Sequence, residues 1–434
     1  VAPKWIVGGK LELRWEEKIA ADVSGRIGRN LRVQVGLYAP EGRWYKRGIF
    51  LWRSFVGRDI YRKLARHLDR LPGGYPATAS GVELRILRRL FSPEEAALAL
   101  KLSMLPEEAV VIARRSKIPL PEAQGRLEAM ARKGLVYSFE RRGRPPRYMA
   151  TQFVIGIWEF HVNSLDPDLI RDVNEYLPTL MDMKTWEKSP QLRTVPVNRS
   201  IDVNLEVLPY ESAVELVKAQ KIFLEAPCIC RREHRMVGKG CEKPEGLCLV
   251  MGGSADYYER NAIGRRISRD EALEILEQAD ASGLVLQPSF SKRIANICCC
   301  CGCCCQVLKN IQRHPEPSRL VANSFRVSLA PGDCIGCGVC ERRCPMQAVW
   351  LENDRAVVEP KRCIGCGLCV STCPSAALSL VRKSESPVPE IPDNLAKAYV
   401  LRSRARGRTG QWGLLRFSVR SLWSQIQRRW DGKG

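Results

Sequence analysis

The sequence predicts an α+β, multidomain chain, and three observations carry that reading. Its 434 residues suffice for about three domains on the usual length scale. Between residues 55 and 330, helix-period apolar patterns alternate with short strand-like runs, as expected of a mixed fold. Near the C-terminus one cysteine pattern, C-x2-C-x2-C-x3-C-P, occurs twice: Cys334, Cys337, Cys340, Cys344 and Pro345, then Cys363, Cys366, Cys369, Cys373 and Pro374.

Residues 1–54 read as a basic N-terminal extension with a strand expected at 31–37 and no chemical motif. The chain begins at Val1 rather than Met, which fits an unusual start codon or a truncated chain. From residue 55 the apolar positions Val56, Ile60, Leu64, Leu68 and Leu71 recur at helical spacing until Pro72-Gly73-Gly74 ends the pattern. Helices are then expected at 83–91, at 93–102 behind the capping box Ser92-Pro93-Glu94-Glu95, at 106–116 and at 121–133, closed by Gly134. Two strand-like runs, 135–139 and 147–153, flank a basic turn with Arg141, Arg142, Arg144 and Arg147. This segment, within 55–163, resembles winged helix-turn-helix domains of small bacterial transcription regulators. The resemblance implies a helix in the major groove and a wing on phosphates. Only Gln124 of the leading residues suits a base edge, and Glu122 opposes phosphate. A protein-contact or scaffold role is therefore favoured over specific DNA binding.

Residues 164–210, with five prolines, read as a connector holding one short helix. In 211–330, Ser212-Ala213-Val214-Glu215 is a capping box, a strand at 222–226 delivers Cys228, and Ser268-Arg269-Asp270-Glu271 caps a helix running to Gly283. A second cysteine field lies here: Cys228-Ile229-Cys230-Arg231, Cys241, Cys248, and the run Cys298 to Cys305 interrupted by Gly302. A helical run would place Cys298, Cys301 and Cys305 on one face and Cys300 and Cys304 on another.

The duplicated pattern, in 331–383, is the clearest chemical signal. Three thiolates of each copy surround one cubane and the fourth crosses to the other. One 4Fe-4S cluster then takes Cys334, Cys337, Cys340 and Cys373, and the second takes Cys363, Cys366, Cys369 and Cys344. Gly336, Gly338, Gly365 and Gly367 allow positive φ and close backbone approach, while Ile335 and Ile364 shield the clusters. Two zinc sites are the alternative, but zinc is usually held by C-x2-C pairs separated by longer loops. The segment is similar to the two-cluster 4Fe-4S ferredoxins. That resemblance implies a βαββαβ module carrying one electron per cluster at low potential.

With the second field added, residues 71 to 380 resemble a group of 4Fe-4S proteins of anaerobic bacteria and archaea. These combine C-x-C-R, a C-C-x-C-C-C stretch and a C-terminal two-cluster ferredoxin. The group implies redox work without a named substrate. A third cluster is expected from Cys228, Cys230, Cys241, Cys248, Cys298, Cys301 and Cys305; zinc or reduced buried thiols are the alternatives. His234 is expected to face solvent, and Arg231, Arg232 and Arg235 to offset cluster charge.

Residues 384–434 read as a linker and basic tail whose Trp412, Leu415, Val419, Leu422, Ile426 and Trp430 form one helical face. That face suits an anionic membrane surface, a partner or the protein's own core. The net charge of +22 favours an acidic redox partner, nucleic acid or anionic lipid. There is no apolar run of membrane-spanning length and no signal-like start, so a cytoplasmic setting is expected. Four histidines and no nucleotide or flavin loop favour an electron carrier or oxidoreductase subunit over a self-contained enzyme. A redox-sensing regulator and an enzyme with a catalytic cluster are the other readings.

Overall fold

The computed structural model describes residues 59–384 and 390–407, preceded by four short strands. The chain divides into two compact units, 1–59 and 60–434. In the first, Trp15–Ala21 pairs antiparallel with Ile27–Val33, and Leu37–Tyr38 with Trp44–Tyr45. The strand expected at 31–37 thus spans the end of one strand and the start of another. The amphipathic tail helix, and any helical turn before Asp59, lie outside the described residues.

The second unit opens with Ile60–Asp69, which buries Leu64, Ala65 and Leu68. Val82–Leu90 follows, then Pro93–Ala99, where Ser92 and Glu95 form the expected reciprocal capping box. The helix expected from residue 106 instead begins with a two-residue strand, Glu107–Glu108, ahead of Ala109–Ser116. After Leu120–Arg132 comes the hairpin Tyr137–Arg141 and Arg144–Met149, so strand takes in Glu140, Arg141, Arg144, Pro145 and Pro146, all expected in the turn, and leaves only Arg142 and Gly143 between the strands. The sheet order is 107–108, 144–149, 137–141.

Residues 164–210 carry more structure than one short helix. Pro167–Leu180 is capped by Asp166, which accepts from Asp168 N and Leu169 N, and it buries Ile170, Val173 and Tyr176. Met183–Lys188 follows. The prolines that suggested a connector include Pro167 at the start of the helix, where a missing N–H costs nothing. Farther on, Val195 bridges to Leu286, and Val197 N donates to Cys366 O at 3.0 Å.

The centre is a five-stranded antiparallel sheet in the order Arg265–Ile267, Phe223–Ala226, Cys248–Met251, Asn296–Cys300, Val285–Pro288. Alternate residues enter different cores: Phe223, Leu249 and Met251 join one, Leu224 and Val250 the other. The second core is continuous with the helices before residue 163. Tyr257 donates to Ala131 O and Val136 O, and Tyr137 stacks on Tyr257. At Ser212 one half of the expected capping box is present, with Glu215 N donating to its Oγ, whereas the box at Ser268 is complete.

The run 298–305 is not a helix. It ends the strand Asn296–Cys300, turns, and enters Gln306–Gln312. In the cysteine-repeat segment, Phe325–Leu329 pairs with Leu378–Arg382, and Val349–Glu352 with Arg355–Val358. Val339–Arg343 is helical; the equivalent residues 368–372 make turns, so the second helix of the expected pattern is reduced.

Candidate metal centres

The repeat brings its cysteines together in the crossed arrangement. Cys334, Cys337, Cys340 and Cys373 line one small cavity, and Cys344, Cys363, Cys366 and Cys369 line another. Each fourth cysteine comes from the other copy because antiparallel pairing of the outer strands folds one copy onto the other. Gly336, Gly338, Gly365 and Gly367 all have positive φ. At Gly365 a Cβ would also lie 2.2 Å from Phe325 O, so the loop closes only with glycine there. Backbone amides reach the sulfurs: Ala348 N donates to Cys344 at 3.2 Å and Ala356 N to Cys334 at 3.4 Å. Such donors stabilise thiolate and cluster charge.

The two quartets differ in exposure. Cys337 is exposed, Cys334 and Cys373 are half-buried, Cys340 is buried, and Ile335 is 66% exposed. Cys363, Cys366 and Cys369 are buried, and Ile364 is 2% exposed. Shielding by isoleucine therefore holds at the second quartet, while Ile335 leaves the first open. Hydrogen bonds from Ala356 N and Gly336 N lower Cys334 in the first quartet, whereas burial raises its Cys340 and, in the second, Cys344, Cys366 and Cys369.

The second field splits in two. Cys228, Cys230, Cys248, Cys298, Cys300 and Cys305 lie together on the wall of a cavity of about 480 Å³. Their thiols interact electrostatically in series, Cys228 with Cys230, Cys230 with Cys305, Cys305 with Cys300, Cys300 with Cys298 and Cys298 with Cys248. The sheet explains the grouping. Cys248 and Cys298 come one step after the Leu249–Ile297 pair, and strand alternation sends Cys298 and Cys300 to one face and Cys299 to the other. Interaction with the neighbouring thiol lowers Cys228, Cys305 and Cys298 from the ordinary thiol range and raises Cys230, Cys300 and Cys248.

Arg231 sits at this arc, 1% exposed, donating to Cys299 O at 2.7 Å and Gly246 O at 2.9 Å. Burial works against its charge, yet Cys228, Cys301, Cys300 and Cys299 hold its pKa above the usual value. Its Nε is buried without a hydrogen-bond partner. An orphaned cationic donor among six thiols suits an anionic iron–sulfur centre, so the donor set fits such a group. Arg232 and Arg235 pair with Glu245 instead. His234 is buried rather than solvent-facing; its Nδ1 contacts Cys230 O at 2.9 Å and its Nε2 Lys309 Nζ at 3.2 Å.

Trp158, Phe160, Tyr258, Phe290 and Tyr399 also line the cavity. Glu159 also lines it; burial pushes its carboxyl up to about 8, against the hydrogen bond it accepts from Gly156 N at 2.7 Å. Arg402 lines the same wall with a buried, unpartnered Nε.

Of the other five cysteines of the field, Cys241, Cys301, Cys303 and Cys304 form a separate tight group with every sulfur within 4.8 Å of the others, and Cys299 stands outside both groups. Cys241 and Cys301 therefore stand apart from the other five cysteines expected to share one site with them. Cys300, Cys303 and Cys304 belong to the two groups although the sequence pattern did not single them out. Gly302, a turn residue just past an apolar strand, was the available signal that the run bends here. The turn is seated on the repeat segment, since a Cβ on Gly302 would lie 3.0 Å from Pro345 O.

No helix among the described residues is long and apolar enough to cross a membrane. No curated protein and no solved structure matches the chain. Residues 326–374 match the 4Fe-4S dicluster domain family. With that match over the cysteine repeat, the chain is an iron–sulfur protein that binds 4Fe-4S clusters and has the capacity for electron transfer.

Proposed function

We propose that the chain is an electron-transfer protein, passing electrons between a low-potential donor and a partner oxidoreductase. The crossed quartets would hold two 4Fe-4S cubanes, and the six-thiol arc a third iron–sulfur centre; bound there, such centres supply one-electron carriers. The observation that carries this reading is the gradient of exposure. The first quartet opens to solvent where a partner docks, the second is buried, and Pro345, next to its ligand Cys344, touches Gly302 in the turn that leads to the arc. The protein's net charge of +22 suits an acidic partner. Replacing Cys298 and Cys305 together by Ser should remove the arc's iron and sulfide and leave about eight irons in the quartets. Equal iron in wild type and variant would refute the third centre.

The cavity favours a second reading, an oxidoreductase whose substrate binds against the arc. Its aromatic walls suit a flat apolar molecule, and the unpartnered Arg402 Nε suits an acidic substituent. Aryl carboxylates that perturb the arc's EPR signal in wild type but not in R402M would support this; no perturbation by any of them would count against it.

The helices and hairpin of 82–149 are read as a winged-helix arrangement acting as scaffold. One strand of its hairpin is held by Tyr257 and Arg260, through Val136 O and Ser138 O. The exposed Arg141, Arg142 and Arg144 leave DNA contact as the lesser reading. Sequence-selective binding that tracks cluster state would revive the sensor.

A further inference from the structure

We propose that Cys241, Cys301, Cys303 and Cys304 hold one zinc ion in a closed tetrahedral site, distinct from every iron–sulfur centre of the chain. The sulfur spacing carries this. Cys304 Sγ lies 3.6 Å from Cys241 Sγ and 3.9 Å from Cys303 Sγ, and all four lie within 4.8 Å of one another. Four thiolates about 2.3 Å from one zinc ion stand about 3.8 Å apart at tetrahedral angles. Terminal thiolates of a cubane stand more than about 6 Å apart, because each binds a different iron.

The same molecule supplies the contrast. Among the described residues, this is the group of Cys, His, Asp or Glu whose ligand atoms meet the 4.8 Å spacing; neither quartet of the dicluster segment does. The two kinds of site are therefore built to different dimensions. Cubane-type quartets leave a cavity between their sulfurs, and this quartet has room for a single ion.

The ligands come from two separate segments. Cys301, Cys303 and Cys304 belong to the turn between Asn296–Cys300 and Gln306–Gln312, and Cys241 to the loop between Ile229–Met236 and Cys248–Met251. That loop is largely polar and is pinned near its end by Glu245, whose carbonyl accepts from Cys228 N at 2.8 Å. An ion joining loop to turn would brace the turn that lies between Cys300 and Cys305. It would also hold Gly302 against Pro345. Four protein ligands leave no open position, so the ion is structural.

The assignment also accounts for the dense run. Cys298, Cys300 and Cys305 go to the arc and Cys301, Cys303 and Cys304 to the ion, while Cys299, which also borders the cavity, alternates with Cys298 and Cys300 along the strand and has its thiol raised by burial.

The test uses the intact chain purified anaerobically, with zinc, iron and acid-labile sulfide measured per chain and zinc-edge X-ray absorption on the same sample. The expected result is about one zinc with four sulfur neighbours at about 2.3 Å. The C303S/C304S variant should lose that zinc and keep wild-type iron and sulfide. A wild type without zinc overturns the proposal, as does nitrogen or oxygen in the zinc shell. So does a variant that keeps its zinc or loses iron together with sulfide. If the variant does not fold, the wild-type stoichiometry and absorption spectrum decide alone. Loss of arc iron in the Cys298/Cys305 variant is a separate readout, so failure of one assignment leaves the other standing.

Discussion

The dicluster segment and the second cysteine field use the same side chain in opposite ways. In the dicluster segment each quartet takes three sulfurs from one short loop, placed by sequence spacing, and one from its duplicate, brought in by pairing of the outer strands. In the second field the arc draws on three segments: the entry to Ile229–Met236, the start of Cys248–Met251, and both ends of the run 298–305. There the sheet register does the sorting. A motif written into a loop is legible in sequence; a site written into strand pairing is legible only once the pairing is known.

The largest expected effect separates the two quartets. Cys344→Ala should abolish the cluster of Cys363, Cys366 and Cys369 and spare the other, lowering iron by about four per chain with one reduced EPR signal retained. Selective loss of the other signal would break the crossed assignment. Next, Arg231→Leu leaves the carbonyls of Cys299 and Gly246 without their buried donor and takes the cation from the arc. It should cost about 3 kcal/mol of stability and deplete arc iron, with quartet iron unchanged. Uniform loss from all sites would show that the regions are not independent.

A smaller effect compares shielding. Ile364→Ser should raise the potential of its cluster by on the order of tens of millivolts by admitting water, while Ile335→Ser, at a position already 66% exposed, should shift its own cluster far less. Redox titration followed by EPR checks both, and equal shifts would remove the argument from exposure. The smallest effect tests the contact between regions. Gly302→Ala places a methyl group against Pro345 and should cost about 1–3 kcal/mol in thermal unfolding without changing the quartets' iron content.

Much of the fold followed from local signals. Ser92 and Ser268 marked helix starts because a side-chain oxygen and a returning carboxylate satisfy the first free amides. Pro167 misled because proline at the first helical turn looks, without tertiary context, like a breaker. The eight repeat cysteines were placed in their crossed quartets because loop spacing is local. Their arrangement in the second field was not, since a run of identical residues carries no periodicity with which to tell strand from helix. Strand geometry at 296–300 followed by a turn at Gly302 divides neighbours such as Cys300 and Cys301 between two sites. His234 was misplaced for a related reason: its burial depends on Lys309, which follows that turn.

The most direct test of the account counts iron and acid-labile sulfide in the anaerobically purified wild type and records EPR after full reduction. About twelve irons or more per chain, with a signal distinct from those of two interacting cubanes, is the result expected of two quartets plus an iron–sulfur centre in the arc. About eight irons and no further signal would contradict it and leave the arc as six thiols lining a cavity without a cluster.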